Sequence, residues 1–350
     1  MYKKPGYFCR KPFDYLEIQA NHPDYPDSST IQYICCPNWN DTVIGSSTNL
    51  YENWHSDKAK DIRENMLQGN FKNCSTEQCP TLNTFIATGR TGLSIYPIEE
   101  FEKQIGNYEV PKVIRIANDY ACNLQCPSCR LEFIPNSKAN TDKVNELFDS
   151  IEAYFANKVE TLSVSGAGDP FYSTPIRNFL FNFDPEVYPS FKSIQIVTNG
   201  TMLTPKTWNK MKNIQKFVSS IEISIDAANK DTYEKEVRLR GNWDKLMENL
   251  KFIATLTTVP VIRLSFVSQK ANYTQMEDFI QMGRKIFKEQ RQNRTLRFIF
   301  YKIADWAKHA EHGFDDRKIW HTSHPQHNLF RKEVEKLNSY ESVIHNFHEN

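Results

Sequence analysis

Val113-Ile114-Arg115-Ile116-Ala117 runs through a short polar turn into Cys122-Asn123-Leu124-Gln125-Cys126-Pro127-Ser128-Cys129. The first five residues have the β-branched character of a strand, and the loop after them carries three cysteines spaced C-x3-C-x2-C. Working downstream, strand-like runs return at Thr161 to Ser165, Ser193 to Thr198, Ser220 to Ile225, Val261 to Val267 and Leu296 to Ile303. We read them as mostly continuous apolar runs, as expected of strands covered on both faces. Between them apolar residues fall at helical spacing, as in Val144, Leu147, Phe148, Ile151 and Phe155, or Trp243, Leu246, Met247 and Leu250. Thr204 before Pro205 reads as a helix cap with proline at the first helical position. Strands that alternate with helices imply right-handed βαβ units and a parallel sheet, here curved into a partial barrel.

Upstream, the first hundred residues read differently. They are rich in Asn, Ser, Thr, Tyr and Pro, with one convincing helix from Asp57 to Gln68, capped by Ser56 and stopped by Gly69. All eight cysteines (Cys9, Cys35, Cys36, Cys74, Cys79, Cys122, Cys126 and Cys129) lie within the first 129 of 350 residues. The longest stretches without a charged residue, Ser28 to Asn40 and Ser193 to Pro205, are 13 residues each, too short for a membrane helix. Met1 to Arg10 lacks the apolar core of a secretory signal, so a cytoplasmic location is expected. In a reducing compartment, clustered cysteines favour metal or redox chemistry over disulfides. With 43 Lys plus Arg against 42 Asp plus Glu, the formal charge is +1, which argues against nucleic acid or an anionic membrane as partner.

Three thiolates on one tight loop hold three irons of a 4Fe-4S cluster and leave the fourth open. Cys126 and Cys129 alone would also suit a dithiol, and three cysteines a zinc site completed by a histidine. Cys122, and a loop that follows a strand, favour the cluster. The triplet resembles the defining motif of the radical S-adenosylmethionine (SAM) superfamily. Ser165-Gly166-Ala167-Gly168-Asp169-Pro170 is similar to the family's glycine-rich motif for the SAM amino group, with Gly166 and Gly168 allowing close approach and Asp169 an anionic acceptor. Thr198-Asn199-Gly200 is similar to its ribose-side turn, and Ser224-Ile225-Asp226 to a strand end that contacts SAM, Ser224 and Asp226 sharing a face. Asp231 to Arg238 resembles the segment whose arginine pairs with the SAM carboxylate; Arg240 is the alternative to Arg238. Ser128 departs from the pattern, since many members carry an aromatic residue there.

Cys9, Cys35-Cys36, Gly45, Trp54, Arg63, Gly69, Cys74 and Cys79-Pro80 resemble the auxiliary-cluster modules called SPASM or twitch domains, although these commonly follow the barrel. Adjacent residues of an extended strand face opposite ways, so Cys35 and Cys36 do not both bind one cluster. Cys35 is favoured because it matches the cysteine ending the family's first strand, with Cys36 the alternative. Four thiolates also suit zinc. Together the resemblances imply an α/β protein: a partial (β/α)6 TIM-type barrel over residues 106–350, with a C-terminal cap from about 305, and an auxiliary iron–sulfur module over 1–105. They imply two 4Fe-4S clusters and SAM as cofactors, and an external electron donor such as flavodoxin or ferredoxin. The implied activity is hydrogen abstraction from an unactivated carbon of a small metabolite, sugar or peptide. Oxidation with help from the auxiliary cluster is preferred to epimerisation with Cys36 as hydrogen donor; a non-catalytic iron–sulfur or zinc scaffold is the reading from another class. Trp320 to His327 carries His321, His324 and His327 at H-x2-H-x2-H spacing, where packing or substrate contact is expected before metal binding. A capping helix is expected over Asn328 to Leu337, with Leu329, Phe330, Val334 and Leu337 inward.

Overall fold

A computed structural model describes residues 2–20, 30–92, 94–130, 132–164, 167–287, 294–305 and 313–347. The chain forms two compact units, Met1–Tyr120 with Ser137–Ala167 and Phe183–Ile194, and Ala121–Asn136 with Gly168–Asn182 and Gln195–Asn350.

The first unit contains β1 (Tyr7–Cys9), β2 (Tyr15–Gln19), β3 (Ile31–Tyr33), β4 (Ile95–Pro97), β5 (Val113–Ala117) and β6 (Thr161–Val164). β1 and β4 pair antiparallel, while the larger sheet runs β6-β5-β2-β3 with β2, β5 and β6 parallel. β2 belongs to the cysteine-rich segment and pairs with β5 along all five of its residues, which draws that segment and the first barrel strands into one unit. These strands alternate instead of being apolar throughout. Leu16, Ile18, Ile114, Ile116, Leu162 and Val164 are fully buried, whereas Tyr15, Arg115, Thr161 and Ser163 on the opposite face are half-buried. The expectation of strands covered equally on both faces is therefore corrected here: the second face is polar and partly open.

β1 and β4 close over an aromatic core of Phe8, Phe13, Met66, Phe71, Leu82, Phe85, Ile95 and Ile105. Phe13 meets Phe8, Phe101 and Tyr108 edge to face, the favoured geometry of ring quadrupoles. The helix Asp57–Leu67 forms as its cap chemistry dictates, Ser56 accepting from the Ala59 amide. Its buried Arg63 donates to the carbonyls of Pro12 and Trp54, both at 2.8 Å, and its guanidinium lies 4.1 Å from the Trp54 ring. Burial pulls that guanidinium down to about 10.

The second unit holds β7 (Ser193–Thr198) from Gln195 onward, β8 (Val218–Ser224), β9 (Val261–Ser268), β10 (Thr295–Lys302) and β11 (Val343–His345), in the order β11-β10-β9-β8-β7. β8 to β11 are parallel. The helices between them follow their sequence signals: Thr204 caps Pro205–Lys210, and Trp243–Ala254 and Met276–Phe287 bury the apolar faces of their patterns. Phe279 packs against Phe266, Phe298 and Phe300. The last helix is His327–Leu337; Phe330, Val334 and Leu337 are buried, but Leu329 is 51% exposed, one position outside the inward stripe. Neither strand order returns on itself. Parallel strands alternating with helices make this an α/β fold consistent with a partial TIM-type barrel that does not close.

β7 ends in the turn Asn199-Gly200, where Gly200 has φ +78° and a side chain would meet Ile223 Cγ2 at 2.9 Å. Asn249 fixes this turn by donating to the Gly200 and Thr201 carbonyls, both at 2.9 Å. We predict that Gly200→Ala lowers stability by about 1–3 kcal/mol, read as a lower urea midpoint at unchanged slope; an unchanged midpoint would show that the turn tolerates a side chain.

Candidate functional site

The triplet loop, all of it in the second unit, is held from both ends. Cys122 donates its amide to Ile134, Gln125 pairs with Leu239, and Cys129 and Arg130 donate to the Cys126 carbonyl. Cys122 and Cys126 are buried and Cys129 half-buried, all as free thiols. Each sulfur meets an N–H donor. Cys122 Sγ accepts from the Leu124 amide at 3.4 Å and from Asn199 Nδ2 at 3.7 Å. Cys126 Sγ accepts from Arg238 Nη1 at 3.3 Å, and Cys129 Sγ from Arg130 Nη2 at 3.4 Å. Burial, and next Asp169, push the Cys122 thiol up to about 12. Burial also raises Cys126, with Arg238 opposing it.

Arg238 is delivered by a π-helical turn over Tyr233–Val237, its amide reaching back to the Tyr233 carbonyl at 2.8 Å. Its Nη2 stands 2.8 Å from Asp226 Oδ2, an ion pair in which the carboxylate side chain is 1% exposed. Asp226 adopts φ +63° after β8 has ended at Ser224, and its Oδ1 accepts from the Val267 amide. The strand alternation that would put Ser224 and Asp226 on one face therefore stops before Asp226. Ser224 accepts from Ser265 across the sheet. Arg240, at φ +68°, stacks its guanidinium 3.8 Å from the Phe133 ring.

Asp169 is buried, and burial raises its carboxyl against the hydrogen bonds that lower it. Those bonds come from the Phe171 amide to Oδ1 and from the Thr198 hydroxyl and Asn199 amide to Oδ2. Its carboxylate thus ties the loop after β6 to the end of β7. Gly168 directly precedes it and is half-buried, while Ser165 and Gly166 lie outside the described residues. Asn199 also donates to Asn123 at 3.0 Å, so one amide touches both the triplet loop and the β7 turn.

Three buried polar atoms here have no hydrogen-bond partner among the described residues: Arg238 Nε, the Tyr233 hydroxyl and Asp226 Oδ2, the last held only by its ion pair with Arg238. Buried donors of this kind suit an anionic ligand group. Three sulfur donors, each with an N–H neighbour, suit a cluster. Sequence reading missed Arg130 and Tyr233, although Arg130 directly follows the third cysteine.

A second group lies in the first unit. Cys9, Cys35, Cys74 and Cys79 line one cavity, otherwise walled largely by Pro12, Trp39, Met66, Phe71, Leu82 and Ile95. Cys79 caps the helix Pro80–Thr88, its sulfur accepting from the Leu82 amide at 3.4 Å. Burial pushes Cys9 and Cys74 up to about 12 and raises Cys35 well above the ordinary thiol value, while the charge of Lys11 eases Cys9, Cys35 and Cys79 the other way. Four soft donors in an apolar shell are the ligand chemistry of a fully ligated cluster. Cys36 does not line this cavity; burial raises its thiol first and the charge of Glu17 next, against Arg115 and Lys11. Among the described residues no group of three or more Cys, His, Asp or Glu is gathered tightly enough to hold a single metal ion. Two of the three tail histidines are spent locally, His321 on Ser323, and His324 on the Asp316 carbonyl and the Gln326 amide, whereas His327 Nδ1 is buried with no hydrogen-bond partner among the described residues.

Residues 120–282 match the radical SAM superfamily, a span that opens just before Cys122 and runs past Arg238. No curated protein matches the sequence. Among solved structures the chain is similar to Streptococcus suis SuiB, at 14% identity and a TM-score of 0.46 over 85% of this chain and 64% of that one. SuiB bound to its precursor peptide SuiA gives 14% identity and a TM-score of 0.43 over 85% and 65%. TYW1 with a lysine-pyruvate adduct bound gives 13% and 0.39 over 75% and 82%. The chain thus spans less than two thirds of the length of SuiB. Among the described residues, no helix is long and apolar enough to cross a membrane.

We predict that Arg238→Ala costs about 3–5 kcal/mol of stability, because it strands a buried carboxylate. Pairing it with Asp226→Asn should recover most of that loss in chemical denaturation. A single variant as stable as the parent would show that the ion pair is not closed in solution.

Proposed function

We propose that this chain is a radical SAM enzyme with an auxiliary iron–sulfur cluster, the barrel over 106–350 carrying the chemistry and residues 1–105 the auxiliary module. The observation that carries the reading is the triplet itself: three thiols on one loop, each with an N–H donor, beside buried donors with no partner. Bound there, a reduced 4Fe-4S cluster supplies the electron that splits SAM into methionine and a 5′-deoxyadenosyl radical, which takes a hydrogen atom from the substrate. Cys122, Cys126 and Cys129 hold three irons. Arg238, through the orphaned Nε, and the Tyr233 hydroxyl receive the SAM carboxylate, and Asp226 keeps the guanidinium aimed. Asn199 serves the ribose side, and the strand end at Ser224 contacts SAM. Asp169 acts by shaping the loop, since both its oxygens already accept hydrogen bonds, and carbonyls around Gly166 and Gly168 take the ammonium. The protein's share of catalysis is to position the reacting carbon and exclude water.

In the auxiliary module, Cys9, Cys35, Cys74 and Cys79 would hold the second cluster, which would supply a one-electron acceptor for the substrate radical; loss of that electron and of a proton to solvent would give the oxidised product. A flavodoxin or ferredoxin in the cytoplasm supplies electrons, and the substrate is a small metabolite, sugar or peptide. A second reading, epimerisation, draws support from Cys36: its thiol lies outside the four-cysteine cavity, beside Glu17 and Arg115, and is a candidate hydrogen donor.

Anaerobically reconstituted protein should carry about eight irons per chain, and SAM should change the electron paramagnetic resonance of one of two reduced clusters. A signal indifferent to SAM would refute an open iron at the triplet, and stoichiometric zinc would replace the auxiliary cluster. Cys35→Ala should lose about four irons and destabilise the module, whereas Cys36→Ala should keep all of them. Under oxidation Cys36→Ala also keeps product formation. A single solvent deuterium on the product, lost in that variant, would favour epimerisation instead.

A further inference from the structure

Lys11 lines the four-cysteine cavity beside Cys9, Cys35 and Cys79. Its ammonium lies 4.4 Å from the centre of the Tyr15 ring and 5.1 Å from that of Trp39. Among the described residues no carboxylate stands within ion-pairing distance of it. Asp14, whose carboxyl feels the Lys11 charge, pairs with Arg10 at 2.5 Å, and Glu17 accepts from Tyr15 and Gln19. The aromatic faces hold the ammonium without cancelling its charge, since a ring offers a quadrupole and no net charge.

We propose that Lys11 sets the reduction potential of the auxiliary cluster, its ammonium held by Tyr15 and Trp39 against the cavity so that the cluster is poised to accept an electron. The proposal rests on the reading above that the four cysteines hold an iron–sulfur cluster. A thiolate-ligated cluster gains one negative charge on reduction, so a fixed neighbouring cation favours the reduced form, and more strongly in a poorly screened apolar cavity. In turnover one electron leaves the substrate radical and enters the oxidised cluster, the substrate releases a proton to solvent, and an electron carrier of the flavodoxin or ferredoxin class later removes the electron. Lys11 takes no part in bond making. It is a positioning charge, and its effect is read in a potential before any product is measured.

The test is a potentiometric titration of the full, reconstituted chain followed by electron paramagnetic resonance, for wild type, Lys11→Met and Lys11→Arg. The auxiliary signal is the one that SAM does not perturb. Lys11→Met should keep about eight irons and shift the auxiliary midpoint negative, cutting the ratio of reduced to oxidised cluster at a fixed potential about tenfold, or ~59 mV for one electron. Lys11→Arg, which keeps the charge, should stay within about twofold of wild type. An unchanged midpoint in Lys11→Met at full iron would overturn the role of Lys11 and leave the auxiliary cluster standing. Wild type with about four irons would remove the auxiliary cluster, and this proposal with it. Loss of iron in Lys11→Met but not in Lys11→Arg would also overturn tuning, making the charge a requirement for assembly.

Discussion

Burial opposes the ionisation of a thiol, and here Cys9, Cys35, Cys74 and Cys79 in one unit and Cys122 and Cys126 in the other all have their thiols pushed upward by it. A sulfur anion in such surroundings requires a counter-charge, N–H donors or a metal. Much of the local architecture answers that requirement. Arg238 crosses a π-helical turn to reach Cys126, Arg130 folds back on Cys129, and Asn199 ends β7 with its amide toward Cys122. At the other cavity the Leu82 amide reaches Cys79 and Lys11 brings a whole charge. Packing alone does not explain Arg238, Arg130, Asn199 and the Leu82 amide, because each is a donor to sulfur.

The two sets of cysteines are built on different principles. The triplet occupies one short loop, so its geometry is nearly local and three residues at fixed spacing carry it. The four-cysteine cavity is assembled from β1, the turn after β3, the segment after Phe71 and a helix cap, so only a folded unit can gather it. That difference predicts where folding and metal binding are coupled: the N-terminal set gains its shape from the aromatic core around Phe8 and Phe13, and a bound metal would return stability to that core.

Much of this was legible in the sequence. The strand runs from Val113 onward, the caps at Ser56 and Thr204 and the triplet all follow local rules. Cys35 and Cys36 were separated by strand alternation, but β3 ends at Tyr33 and both lie beyond it; the cavity lining contains Cys35 and not Cys36 for reasons that alternation does not supply. What local rules could not show was long-range. β2 is only a five-residue segment with a glutamate at its centre, and it becomes a strand because β5 offers an edge to pair with. Asp226 looked like the next outward residue of β8, but the strand stops at Ser224 and its backbone turns left-handed to meet Val267. Tyr233 was hidden because a π-helical turn does not follow the helical period.

The central claim is that the triplet holds an open-iron cluster that cleaves SAM. Anaerobic protein, reduced with dithionite and given SAM, should release 5′-deoxyadenosine and methionine in equal amounts. The full chain with Cys122, Cys126 and Cys129 all replaced by Ala should release none while keeping its auxiliary iron. Undiminished 5′-deoxyadenosine from that variant would contradict the account.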